Sequence, residues 1–155
     1  MLKSMLSAEI KKIKWALSLA LLFILVGCGI LFATILQNNK PAFLIGNAPV
    51  SIEYARTPDE KFRGLCCRDF LPENSGMLFV YNRPGNYRFV MRDTRIPLDM
   101  YWISSGKEVV HIEHSVQPSS YPKTYGTNTP AQYILETNAG FAKRHNIKVG
   151  DTVKF

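Results

Sequence analysis

Leu98-Asp99-Met100-Tyr101-Trp102-Ile103, then Ser104-Ser105-Gly106-Lys107, then Glu108 to Val116 (EVVHIEHSV) is the stretch on which the fold turns. The first six residues are almost wholly apolar and of strand length. The next four are turn formers, and the last nine return as a second strand. A β-hairpin over 98–116 follows. Asp99 breaks the apolar run, and a carboxylate in such a setting is costly to bury unless it is partnered.

Working outward from this hairpin, Gly76 to Tyr81 (GMLFVY) is a nearly all-apolar run that reads as a core strand. From Asn86 to Asp93 the pattern alternates, with Tyr87, Phe89 and Met91 facing one way and Arg88, Val90 and Arg92 the other. Val50 to Tyr54 also alternates. Thr57-Pro58-Asp59-Glu60 combines an N-cap, a proline at the first helical position and a glutamate three residues after the cap. The helix it starts should run to about Leu65 or Cys67 and bury Phe62 and Leu65. Downstream, residues 117–130 are rich in Pro, Ser, Thr and Gly and read as one long loop, a kind that is often functional. A strand over 131–137, a short helix over 139–145 stopped at Asn146, and a closing strand within 147–155 complete the chain. The fold class expected is α+β and mostly β: a small, compact, barrel-like domain with two short helices over residues 49–155.

Ahead of that domain, Trp15 to Leu36 (WALSLALLFILVGCGILFATIL) runs for 22 residues without a charge, the length that crosses a bilayer as a helix. Four lysines against Glu9 place +3 of the formal net charge of +7 before this segment, leaving +4 for everything after it. The positive-inside rule then puts residues 1–14 in the cytoplasm, with the domain outside on a tether of residues 37–48. In a rival reading, Leu25-Val26-Gly27-Cys28 is a lipoprotein signal with Cys28 lipidated. The apolar run continues eight residues past Cys28, which favours a spanning helix. Both readings place the domain outside the membrane. The surplus of +4 is too small and too scattered for a nucleic-acid footprint, so no nucleic-acid partner is expected.

Several blocks resemble the DUF192 family (also called UPF0127), small bacterial and archaeal domains of uncharacterised function that are often exported. They are Arg63-Gly64-Leu65 with Arg68, Gly76 to Phe79, Met91 to Asp99, Leu135-Glu136 with Asn138-Ala139-Gly140, and Ile147 with Val149-Gly150-Asp151. Cys66 stands where the family usually has Met, and Val90 where it has Trp. Arg92 and Asp93 replace Lys and Asn, and the loop around Pro118 lacks the cysteines of many relatives. The resemblance implies a small β-rich, barrel-like fold and supplies no activity.

The leading polar constellation is Arg68, Asp99 and Glu136. Arg68 can pair one of the carboxylates through two parallel hydrogen bonds and lock helix to sheet. Alternatively, the carboxylates flank a cleft and bind a polar ligand such as a sugar, or act as acid and base. Arg88 and Arg92, near Arg83 and Arg95, form a second cluster that suits an anion such as a phosphate or lipid headgroup, or is a solvated face. Adjacent Cys66 and Cys67 admit a vicinal disulfide, a soft-metal site or a redox role, although Cys66 also reads as a small buried hydrophobe. His111, Glu113 and His114 do not share one strand face, which argues against a metal site there. No cofactor motif and no nucleophile elbow appears. The sequence therefore favours a non-catalytic, membrane-anchored, extracytoplasmic module that binds a small polar ligand or an envelope partner. An enzyme using Asp99 and Glu136 is the alternative, and a redox or metal role for Cys66 and Cys67 a weaker one.

Overall fold

Every side chain from Leu98 to Ile103 is buried, on both faces of the sheet, and the architecture follows from covering both. A computed structural model describes Trp15 and residues 43–155. Residues 1–14, expected to be cytoplasmic, the rest of the segment 15–36 expected to span the membrane, and Cys28 lie outside the described residues. Among the described residues no helix is long and apolar enough to cross a membrane.

Eight strands are present: β1 (Leu44–Ile45), β2 (Ala48–Pro49), β3 (Ser51–Ala55), β4 (Ser75–Gly85), β5 (Leu98–Ile103), β6 (Val109–Val116), β7 (Ala131–Asn138) and β8 (Val153–Lys154). Two short α-helices, α1 (Pro58–Arg63) and α2 (Phe141–His145), and a 3-10 turn at Pro118–Ser120 complete the described elements. The main sheet has the order β3-β4-β7-β5-β6, antiparallel except for the parallel pair β3 and β4, whose connection carries α1. A smaller sheet has the order β2-β1-β8.

The expected barrel is not formed. β3 and β6 end the five-stranded order without pairing to each other, so the sheet is open. A small closed barrel turns alternate side chains of each strand to water, whereas β5 is apolar on both sides and needs cover on both. One face carries Met77, Phe79, Leu98, Met100, Trp102 and Ile134, covered by Leu65, Leu71, Met91 and Tyr125. The other carries Leu78, Tyr101, Ile103 and Leu135, covered by Phe43, Ile45, Phe141 and Val153. Residues 43–48, assigned to the tether from sequence, are therefore folded: Phe43 and Ile45 are core residues and β1 pairs with both β2 and β8.

The cap predicted at Thr57 is present as a full capping box, Glu60 N–H donating to Thr57 Oγ1 while Glu60 Oε2 accepts from Thr57 N–H at 2.8 Å. The helix stops earlier than expected, at Arg63, because Gly64 turns the chain with φ +52. Leu65 then drops into the core, but Phe62 does not follow: its side chain is 72% exposed. Tyr87, Phe89 and Met91 do share the core-facing side, although this segment forms only one isolated bridge, Phe89 to Tyr125 in the long loop.

Asp99 ties three elements together. Its Oδ1 accepts from Ser115 N–H and its Oδ2 from Ala142 N–H, both at 2.8 Å. A bulge in β6 between Glu113 and Val116, with Ser115 at φ +50, turns that first N–H toward the carboxylate. The second bond caps α2, whose own N-cap, Gly140, has no side chain to do so. Asp99→Asn would leave one buried N–H facing another donor. Chemical denaturation should show a loss of roughly 2–3 kcal/mol, and a wild-type midpoint with unchanged slope would refute this structural role.

Candidate functional site: a cationic cleft over Glu136

The structure divides the leading constellation. In the register of β5 and β7, Asp99 lies opposite Thr137 and Met100 opposite Glu136. Successive side chains point to opposite faces, so Asp99 and Glu136 lie on opposite sides of the sheet and cannot act on one substrate. Nor does Arg68 pair with either. Its guanidinium grips Glu53 on the edge strand β3 through two parallel bonds, of 2.6 and 2.7 Å. That pair lowers the Glu53 carboxyl and raises Arg68. The pair expected with Asp99 or Glu136 is absent, and Arg68 pairs instead with a carboxylate that the sequence pattern did not mark.

Glu136 is left with apolar neighbours. On its own face it sits between Met77 of β4 and Met100 of β5, neither of which offers an N–H or O–H. Gly76 allows β4 to run this close, since a Cβ there would lie 2.6 Å from the Glu136 carbonyl oxygen. The Glu136 side chain is 5% exposed, and among the described residues no donor reaches its carboxyl. Burial pushes it up to about 8. Tyr81, next to it, is pushed up to about 12 by burial, with contributions from Tyr87 and Glu136.

The carboxyl opens onto a cleft of about 210 Å³. Phe79, Tyr81 and Phe89 wall it, with the Phe79 and Phe89 rings packed edge to face at 4.8 Å. Gly64 closes one side, where a Cβ would come within 3.3 Å of the Phe79 ring. Four cations line the cleft: Lys61 and Arg63 from α1, and Arg88 and Arg92 from the segment before β5. Arg88 Nη2 donates to Asn128 Oδ1 at 2.8 Å, which links it to the long loop. Arg92 Nη2 donates to the Phe62 carbonyl at 2.9 Å, and its guanidinium stacks on the Phe62 ring at 3.8 Å.

Of the five residues singled out from sequence, the cleft gathers Glu136, Arg88 and Arg92 and excludes Arg68 and Asp99. Lys61, Arg63, Phe79, Tyr81 and Phe89 were not singled out as site residues. The exposed Phe62 and the alternation over 86–93 were the signals available, but α1 had to be placed against the sheet before they converged. Cys66 and Cys67 are joined to each other as a vicinal disulfide, and neither is a buried hydrophobe. Cys66 lines a neighbouring hollow with Phe62, Arg63 and Arg92. Among the described residues no group of three or more His, Cys, Asp or Glu could hold a metal ion. His111 and Glu113 pair with each other at 3.0 Å.

Together the open sheet and the cleft define a small, mostly β domain with two short helices and one buried carboxyl beneath a basic rim. The chain belongs to the DUF192 family: the family model, described as an uncharacterized ACR, matches residues 43–155. Two crystal structures are similar. A candidate transcription regulator of Sinorhizobium meliloti 1021 is 30% identical with a TM-score of 0.65, over 68% of this chain and 81% of its own. A protein of unknown function from Novosphingobium aromaticivorans DSM 12444 is 32% identical with a TM-score of 0.68, over 73% and 83%. No curated protein matches the chain.

An acid held above its ordinary value favours folding where it is protonated. Its contribution is therefore present below pH 4.5 and is lost as pH rises through about 8. Subtracting a Glu136→Gln series from wild type should isolate a fall in stability on the order of 3–5 kcal/mol across that window. Glu136→Leu should raise the melting temperature, since it replaces an unpartnered carboxyl with an apolar side chain. A lowered melting temperature would show that the carboxyl supports the fold instead.

Proposed function

We propose that this chain is a membrane-anchored, extracytoplasmic module that binds a small polar ligand in the cleft over Glu136 without transforming it. The unpartnered carboxyl of Glu136 carries the reading. Among the described residues no protein donor reaches its oxygens, which keep contact with the cleft, so a ligand entering there can take the place of water as their hydrogen-bond partner. The two-carboxylate enzyme loses support, because Asp99 is committed to two backbone N–H groups on the other face. Acid and base on a glycan must flank the same bond.

Residues 15–36 supply the anchor in this reading, with the lysines before it retained in the cytoplasm. Because the folded unit reaches back to Phe43, only residues 37–42 are left to connect the two. Six extended residues reach ~20 Å, which limits how far Phe43 can stand from the anchor.

Two measurements test the proposal. Full-length chain fused at its C-terminus to alkaline phosphatase should be active, and the same fusion to a cytoplasm-dependent fluorescent protein dark. The reverse pattern would overturn the orientation. Native mass spectrometry of full-length protein extracted in mild detergent should show a small adduct in wild type that Glu136→Leu lacks. Bare wild type, with no thermal shift from N-acetylglucosamine, glycerol phosphate or succinate, would overturn ligand binding.

A further inference from the structure

We propose that the cleft selects an anionic group, a phosphate or carboxylate on a short carbon frame, gripped by Arg88 and Arg92 and steered in by Lys61 and Arg63. This rests on the reading that the cleft binds a ligand, and adds its chemical class.

The argument begins with where the carboxylates are. Elsewhere among the described residues three of five arginines are matched, Arg68 by Glu53, Arg95 by Asp69 at 2.9 Å and Arg144 by Glu73 at 3.8 Å, while the scattered Arg56 and Arg83 are not. Around the cleft, among the described residues, Lys61, Arg63 and Arg88 have no carboxylate within salt-bridge distance. Arg92 has only Asp93 at 4.0 Å, with a side chain 70% exposed and well solvated.

Glu136 does not fill this role. A carboxyl paired with the rim cations would be lowered by them, yet Glu136 is raised, and burial is the whole cause. Among the described residues Glu136 forms no ion pair with the rim cations, and the charge at the mouth of the cleft stays unspent.

Both central arginines are nevertheless held in place, and only neutral groups hold them. Asn128 fixes Arg88, and its loop is fastened by the paired backbones of Phe89 and Tyr125 at 2.8 and 2.9 Å. Gly126 permits the close passage, since a Cβ there would lie 2.8 Å from Arg88 Cδ. The Phe62 ring and carbonyl fix Arg92. A guanidinium carries five N–H donors, and each of these spends one on the contact that fixes it. What remains is positioned, charged and unneutralised, the condition in which arginine recognises phosphate or carboxylate by paired hydrogen bonds.

At about 210 Å³ the cleft is smaller than the ~300–1,000 Å³ of common small-molecule sites. It suits one charged group with a few carbons against Phe79 and Phe89, or the end of a larger molecule. A free phosphorylated metabolite and a phospholipid headgroup present the same chemistry to such a site.

The test uses full-length protein in nanodiscs of phosphatidylcholine, with the side chains of the cleft followed by NMR. Glycerol phosphate should shift Phe79, Phe89 and the Arg88 and Arg92 guanidinium signals, and glycerol at the same concentration should not. The double variant R88Q/R92Q should weaken glycerol phosphate binding at least tenfold, while Arg95→Gln leaves it unchanged. Replacing half the phosphatidylcholine with phosphatidylglycerol identifies the source: competition with glycerol phosphate means a headgroup, and no competition a soluble anion. Glycerol or N-acetylglucosamine binding in the cleft where glycerol phosphate does not would overturn the anionic class and leave the ligand reading intact. If no probe shifts a cleft residue, both fail.

Discussion

The burial of β5 on both faces is the constraint from which the rest of this domain follows. A central strand with six buried side chains requires a layer on each side, and a chain of this size has little material for either. The small sheet of β1, β2 and β8 with α2 forms one cover. Leu65 and Leu71 before β4, Met91 and Ile96 before β5, and Tyr125 of the long loop form the other. The first cover is regular and closely packed. The second consists mainly of irregular chain around one short helix, and the cleft lies there.

The same constraint gives two acidic residues on neighbouring strands opposite fates. Asp99 faces the side where α2 begins and β6 bulges, so two backbone N–H groups converge on it and it becomes a fastening point. Glu136 faces the other side between two methionines, where no donor converges. A displacement of one residue in register separates a structural carboxylate from one that opens onto the cleft.

How legible this was depended on the range of the interaction. The hairpin at 98–116, the capping box at Thr57 and the stop at Asn146 come from contacts within a few residues, and the local pattern contained them. The helix is shorter than its apolar periodicity predicts and leaves Phe62 exposed, because Gly64 acts through a positive φ that periodicity does not register. Closure into a barrel is expected because seven or so short strands are compatible with it. What prevents it is the apolar character of both faces of β5, a signal carried by Leu98 to Ile103.

The sequence by itself determined the family, the mostly β class and the apolar segment at 15–36, since composition and local periodicity are properties of the chain alone. It also marked Asp99, Glu136 and Arg68 as polar residues needing partners. Which partners they received was decided only by tertiary structure. Pairing register selects the face each side chain occupies, and the packing of α1 selects which cations surround a cleft. Arg68 found Glu53, 15 residues away in the chain but across the turn from it in space. Glu136 found no partner, because the strands on either side of it present only thioethers at its level.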